Sequence, residues 1–234
     1  MAKYAVIGLG RFGSTVAITL ANNGLDVVAV DIDQDIVDTM TGKVGLALRI
    51  DSTSETALRS LNLNEMDAVV LGIGSNIQES ILTAAILKKI GVGIIYAKVE
   101  NQLHGKILEL IGVQHILLPE EMVGTQLANT LVSKNILEYV NLSSGHIVIE
   151  LVAPLEFVGK TLAELALPTY WGLNVVAIKY NYLAVTEDGK NVIEKRLNDM
   201  PGASDVVNEG DILILLGPKA KIDRIIYETA TRQK

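Results

Sequence analysis

The sequence predicts an α/β protein: a doubly wound parallel sheet, then a crossover helix and a second, smaller α+β domain. Three observations predict it. Short apolar runs rich in β-branched residues recur through residues 3–118, each separated by a stretch of helical length. A glycine string, Gly8-Leu9-Gly10-Arg11-Phe12-Gly13, sits between the first of these runs, Tyr4-Ala5-Val6-Ile7, and a segment with helical spacing, Phe12, Val16 and Leu20. The pattern changes after Asn141-Leu142-Ser143-Ser144-Gly145, where apolar alternation and a hairpin signal replace the strand–helix rhythm.

Glycines are common, so the string gains meaning from its place between a strand and a helix. The first glycine permits a tight turn, the second lets backbone approach a phosphate, and the third packs helix on strand. The helix start then offers unpaired N–H groups and a positive dipole end to an anion. Asp31 closes the pattern, ending the run Val27-Val28-Ala29-Val30 at the spacing of a ribose-binding carboxylate. This is a Rossmann-type nucleotide site. Arg11 is the unusual member, a guanidinium beside the phosphate turn that suits a terminal phosphate.

Further apolar runs end near Ile50, Leu71, Lys98 and Leu118. With right-handed crossovers the strand order 3-2-1-4-5-6 is the default, and ligands bind beyond the carboxyl ends of the strands. The residues there are candidates. Asp31-Ile32-Asp33 places Asp33 beside the ribose acid, and this acidic pair disfavours NADP, because it repels a 2′-phosphate. Asp51-Ser52-Thr53 follows the third strand, and Asp51 reads equally as a capping acid. The loop Gly72-Ile73-Gly74-Ser75-Asn76, with Gly74 and Asn76, can lie along a nucleotide, and Lys98 can reach phosphate from the fifth strand.

Pro119-Glu120-Glu121 suits the first turn of a helix. Its apolar stripe, Val123, Leu127 and Leu131, comes after the sheet is complete and suits packing on another subunit. Ile136 to Val140 is read as a continuation of this helix. The organisation expected is therefore a nucleotide-binding domain over 1–118, a crossover helix and linker over 119–144, and a C-terminal domain over 145–234. In the last, His146 to Leu151 alternates, 160–167 is a short helix and 174–179 a strand. Asp188-Gly189 signals a hairpin turn, Glu209-Gly210-Asp211 leads into an apolar strand, and 219–231 closes as a helix.

Composition excludes other classes. The 234 residues are 49% hydrophobic with net charge −7, and acids outnumber bases in both halves, so no basic face for nucleic acid is expected. Mean hydropathy is high at +0.35, yet no apolar run reaches the roughly 18 residues of a membrane span. With no cysteine there are no disulfides or thiolate zinc sites. The chain runs straight into its first strand, which points to the cytosol. An oxidoreductase needs a proton donor near its cofactor. His104, His115 and His146 are scattered and read as structural, and Trp171 with Tyr170, Tyr180 and Tyr182 reads as core or interface. A sensor, not an enzyme, is expected.

The glycine string, the Asp31-Ile32-Asp33 end, Gly74-Ser75-Asn76-Ile77-Gln78-Glu79-Ser80 and Ile111-Gly112-Val113 with Pro119-Glu120 resemble the RCK, or KTN, proteins. These are cytosolic regulatory subunits of Ktr and Trk potassium transporters, and one copy of each lobe fits the Ktr type. The resemblance implies homodimers assembled into an octameric ring, docked on the cytoplasmic face of a membrane-embedded potassium transporter subunit. It implies ATP or ADP, alternatively NAD or NADH, in the crevice. Gly8, Gly10 and Gly13, with Phe12 between them, match the phosphate turn and Asp31 the ribose acid. Arg11 matches an arginine that senses the terminal phosphate across a subunit interface, and Asp51, Asn76 and Lys98 match less diagnostic positions. Glu120 matches a carboxylate that helps hold a divalent cation, Mg or Ca, between subunits.

Overall fold

The computed structural model describes residues 2–74, 76–131, 135–142, 144–185 and 191–231. They form two compact units, Met1–Glu121 and Met122–Lys234.

The first unit holds six parallel strands: β1 (Lys3–Ile7), β2 (Asp26–Asp31), β3 (Leu46–Arg49), β4 (Ala68–Leu71), β5 (Ile95–Lys98) and β6 (His115–Leu117). Their order is β3-β2-β1-β4-β5-β6, the expected doubly wound arrangement. Successive residues of a strand point to opposite faces, so Ala5 and Ile7 enter one core and Val6 the other. Helices α1 (Arg11–Asn22) and α2 (Gln34–Met40) cover the face of Val6 through Ala17 and Met40. Helices α3 (Glu55–Arg59), α4 (Ile77–Lys89) and α5 (Gln102–Ile111) cover the other through Leu58, Leu87 and Leu108. Strand β4 is buried on both faces, which is why its sequence, AVVL, shows no alternation. The order reverses between β1 and β4, and the crevice opens at their carboxyl ends.

Helix α6 (Pro119–Leu131) follows β6 and buries none of its residues. Met122, Val123, Leu127 and Leu131 are all exposed.

The second unit is built on an antiparallel sheet of β7 (Ile136–Asn141), β8 (His146–Val152), β9 (Asn174–Val185), β10 (Asn191–Asn198) and β11 (Ile212–Pro218), ordered β10-β9-β11-β8-β7. Its core gathers Ile149, Leu151, Leu167, Leu213 and Leu215 with Ile222 and Ile225 of α8 (Lys219–Thr231). Two sequence expectations need correction. Ile136 to Val140 is strand β7, paired to β8, and not more of α6. A register shift between Ile136 and Glu138 spaces the buried Ile136 and Tyr139 three apart, so a bulged strand imitates helical periodicity. The helix expected over 160–167 is only α7 (Leu162–Leu165), stopped by left-handed Ala166 and followed by a π turn, Leu167–Trp171. The Asp188-Gly189 turn signal lies outside the described residues.

Candidate functional site

The site is built where β1 meets α1. Gly8 has φ +87°, and a Cβ there would sit 2.9 Å from the Ile73 amide nitrogen. A Cβ on Gly13 would fall 1.9 Å from the Gly8 carbonyl oxygen, so the helix lies on the turn with no room for a side chain. These two glycines serve backbone packing. Gly10 differs: at φ −59° any residue is allowed, and a Cβ would meet nothing within 4 Å. Gly10 faces open space, and that space is the crevice.

Helices α2, α3, α4 and α5 begin with side-chain caps, from Asp33, Ser54, Asn76 and Asn101 respectively. Helix α1 begins at Gly10 with none, and its first turn holds no acid. Its free N–H groups and positive dipole end are left for an external anion.

Asp31 reaches across from β2. Its Oδ2 accepts the Leu9 amide at 2.6 Å and its Oδ1 the Asp33 amide at 3.0 Å. The carboxylate thus braces the glycine turn. With about four lone-pair sites in all, it keeps acceptor capacity toward the crevice that it lines.

The crevice has a volume of about 750 Å³, within the range of small-molecule sites. Of the residues expected from sequence, Gly8, Gly10, Arg11, Phe12, Asp31, Ser52, Gly74, Lys98 and Glu120 line it. Arg11 forms no ion pair or hydrogen bond through its side chain among the described residues, so its guanidinium is available. Ser52 is buried, and its hydroxyl is shared with that of Thr83 at 2.9 Å.

Asp33, Asp51 and Asn76 do not line the crevice. Asp33 caps α2 through the Asp35 amide at 2.9 Å, and Asn76 caps α4 through the Glu79 amide at 3.2 Å. Asp51 accepts the Thr53 hydroxyl and amide, which in that order hold its carboxyl below the ordinary value. Each carboxylate or amide is engaged in its own turn. Gly13 lies behind the turn rather than in it.

Glu120 accepts a hydrogen bond from Lys98 Nζ at 2.8 Å, and this pairing lowers its carboxyl pKa. Among the described residues no group of three His, Asp or Glu gathers to hold a metal. Within one chain Glu120 is paired to an ammonium, and a divalent cation, which prefers six or more oxygens, would need further ligands from outside it.

Sequence reasoning missed several lining residues. Ile32, Ile36, Ile50 and Ile73 make an apolar wall beside Asp31, and Glu79 and Glu100 add acids. Ile32 carried a usable signal: a large apolar residue directly after the crevice acid Asp31, and it is exposed. The three histidines lie elsewhere. His104 is buried, with Nδ1 accepting the Glu100 amide, its pKa lowered by burial and partly restored by the charge of Glu100. His115 stacks on Tyr96 at 4.2 Å, and the Ser144 hydroxyl lies 3.3 Å from the His146 ring.

A parallel sheet with an uncapped helix start, a bracing acid and an apolar wall defines the class: a Rossmann-type nucleotide-binding protein. Residues 4–119 match the TrkA-N domain family. Over 222 residues the chain is 40% identical to Ktr system potassium uptake protein C of Bacillus subtilis (strain 168), covering 95% of each chain. It is 33% identical to Ktr system potassium uptake protein A of the same strain, over 97% of this chain and 96% of the relative. The chain belongs to this TrkA-N family of Ktr potassium uptake proteins. The fold is also that of a GsuK channel solved bound to NAD, with a TM-score of 0.64 and 16% identity over 97% of this chain. That match spans 39% of the channel chain. No helix among the described residues is long and apolar enough to cross a membrane.

Proposed function

We propose that this protein is the cytosolic nucleotide-sensing regulatory subunit of a potassium uptake system. The observation that carries the proposal is the open start of α1, with Arg11, unpaired among the described residues, beside it at the lip of a crevice of about 750 Å³. Diphosphate oxygens meet the α1 N–H groups, the ribose hydroxyls meet the remaining acceptor sites of Asp31, and adenine lies on the wall around Ile32. Gly8, Phe12, Ser52, Gly74 and Lys98 complete the surround.

Arg11 selects ATP over ADP by meeting the terminal phosphate. ATP and ADP bias two states of a homo-oligomer, an octameric ring of dimers, and the ring gates a membrane-embedded potassium transporter subunit at the inner face of the membrane. Its leverage on that partner is limited to the difference in nucleotide affinity between the states. Support comes from the Ktr names of relatives that align over nearly the whole chain. No catalytic step is assigned.

Thermal shift with ATP, ADP, NAD and NADH tests this reading, since ligand at 100 times its Kd stabilises by about 2.7 kcal/mol. ATP and ADP are expected to shift the melt most. Tighter binding of NADH transfers the protein to an NADH-responsive class, and hydride turnover makes it an oxidoreductase. With Arg11→Ala, ATP is expected to lose its preference over ADP. Equal weakening of both nucleotides removes the terminal-phosphate role.

A further inference from the structure

Serine and threonine hydroxyls within a helix commonly turn back to a carbonyl three or four residues earlier. Ser14, Thr15, Thr39 and Thr130 do so here. Thr83 of α4 turns elsewhere. Fully buried, it reaches across 31 positions of chain to Ser52, with its hydroxyl oxygen 2.9 Å from the Ser52 hydroxyl and 3.3 Å from the Ser52 carbonyl oxygen. Ser52 is itself only 5% exposed, and it lines the crevice just after β3. The other hydroxyl of the lining, on Thr15, already donates its hydrogen to the Arg11 carbonyl. Ser52 is thus the one uncharged side-chain donor of the lining whose hydrogen has a choice of direction.

Two acceptors on Ser52 set that choice. With the Thr83 hydrogen on the Ser52 carbonyl, the Ser52 hydrogen lies on Thr83 and none is offered to the crevice. With the Thr83 hydrogen on the Ser52 hydroxyl oxygen, the Ser52 hydrogen is released to a ligand. Neither arrangement leaves a buried hydrogen without an acceptor once the ligand is in place, so the exchange avoids the cost of an orphaned donor. Phosphate, ribose and base are joined in that order, and the strands run β1, β2, β3 outward from the glycine turn, about 4.8 Å apart. The turn after β1 meets phosphate and Asp31 at the end of β2 meets ribose, so the side chain after β3 falls to the base. Taking the crevice as the nucleotide site proposed above, the geometry points to Ser52 as donor of a hydrogen bond to a ring nitrogen of the bound purine. Thr83, which does not line the crevice, is the positioning residue that turns this hydrogen outward. The isoleucine wall holds any flat base, and one directed donor fixes which edge it presents.

Calorimetric titration of the full chain with ATP and its 1-deaza, 3-deaza and 7-deaza analogues, each with one ring nitrogen replaced by C–H, tests the contact. The unsubstituted chain is expected to bind one analogue about three- to tenfold more weakly than ATP, the worth of one hydrogen bond. Ser52→Ala should weaken ATP to the level of that analogue and abolish the difference. Thr83→Val should shrink the difference, and Thr83→Ser, which keeps the hydroxyl, should retain it. If Thr83→Val does not melt cooperatively, Thr83→Ala serves the same comparison. Ser80→Ala removes another buried hydroxyl of α4, outside the crevice lining and with no partner among the described residues, and should leave the difference intact. The proposal is overturned if no analogue is penalised, or if the penalty survives Ser52→Ala because ATP and analogues weaken alike. It is overturned as well if the penalty survives loss of the Thr83 hydroxyl, or disappears with Thr83→Ser or Ser80→Ala. In all these outcomes ATP still binds, and the nucleotide reading stands. Failure of the unsubstituted chain to bind ATP or any analogue overturns that reading, and the role of Ser52 and Thr83 with it.

Discussion

The two units treat their exposed polar groups in opposite ways. In the second, turns close upon themselves. The Thr161 hydroxyl accepts the Glu164 amide while the Glu164 carboxylate accepts the Thr161 amide. Asp205 takes the Gly202 amide and the Asn198 side-chain amide, and Asp211 takes the Asn208 amide. In the first unit four helices are closed in the same manner and α1 is not. The lesson is that a site shows itself as a local exception to satisfied hydrogen bonding. Polar composition says nothing of the kind, since both units have acids and amides in plenty.

The contrast can be broken at the glycines, where the largest effect is expected. Gly13→Ala drives a methyl into the Gly8 carbonyl and should cost about 3 kcal/mol, the upper range for overpacking, measured by denaturant unfolding. Gly10→Ala finds open space and should leave the unfolding midpoint in place. Its methyl occupies ligand volume, and nucleotide affinity should fall by about tenfold, the worth of one charge-assisted hydrogen bond. If the two substitutions destabilise alike, Gly10 is a packing glycine and the open helix start is not a site.

Asp31→Ala should have an intermediate effect. It strips acceptors from the Leu9 and Asp33 amides and should cost about 1–3 kcal/mol before any ligand is added. A stable variant that merely fails to bind would show that Asp31 does not brace the turn.

The smallest effect sharpens the other side of the comparison. The Thr161 amide and hydroxyl hold the Glu164 carboxyl below its ordinary value of 4.5. A depressed carboxyl stabilises the fold above the unfolded-state value and loses that contribution as pH falls through the folded one. Melting curves from about pH 6 down to 3 should therefore show a slightly steeper acid limb for the unsubstituted protein than for Glu164→Gln. Parallel limbs would mean that the cap contributes nothing measurable.

The first unit was legible because parallel strands are short, β-branched and separated by helices of fixed scale. The ends of the apolar runs fall within two residues of the strand ends at Ile7, Asp31 and Lys98. The second unit was less legible for a local reason: the bulge at Ile136 to Glu138 gives a strand the burial spacing of a helix. Within the site, backbone-bound features were readable and side-chain partnerships were not. A carboxylate after a strand can brace, cap or bind, and sequence does not say which its neighbours have claimed. Asp33 and Asp51 show this, engaged in turns outside the crevice while Asp31 lines it. Glu120 shows it too, since its pairing with Lys98 spans 22 positions of chain.

Helix α6 has a consequence of another kind. A free helix of its thirteen residues is marginal in water, and it gains nothing from a buried face of its own. In the homo-oligomer proposed above, a second copy covering Met122, Val123, Leu127 and Leu131 would stabilise it. Folding and association would then share one equilibrium along this segment. Dilution should loosen its amides toward hydrogen exchange while both sheets stay protected, so the chain carries a record of its own concentration in the helicity of one element.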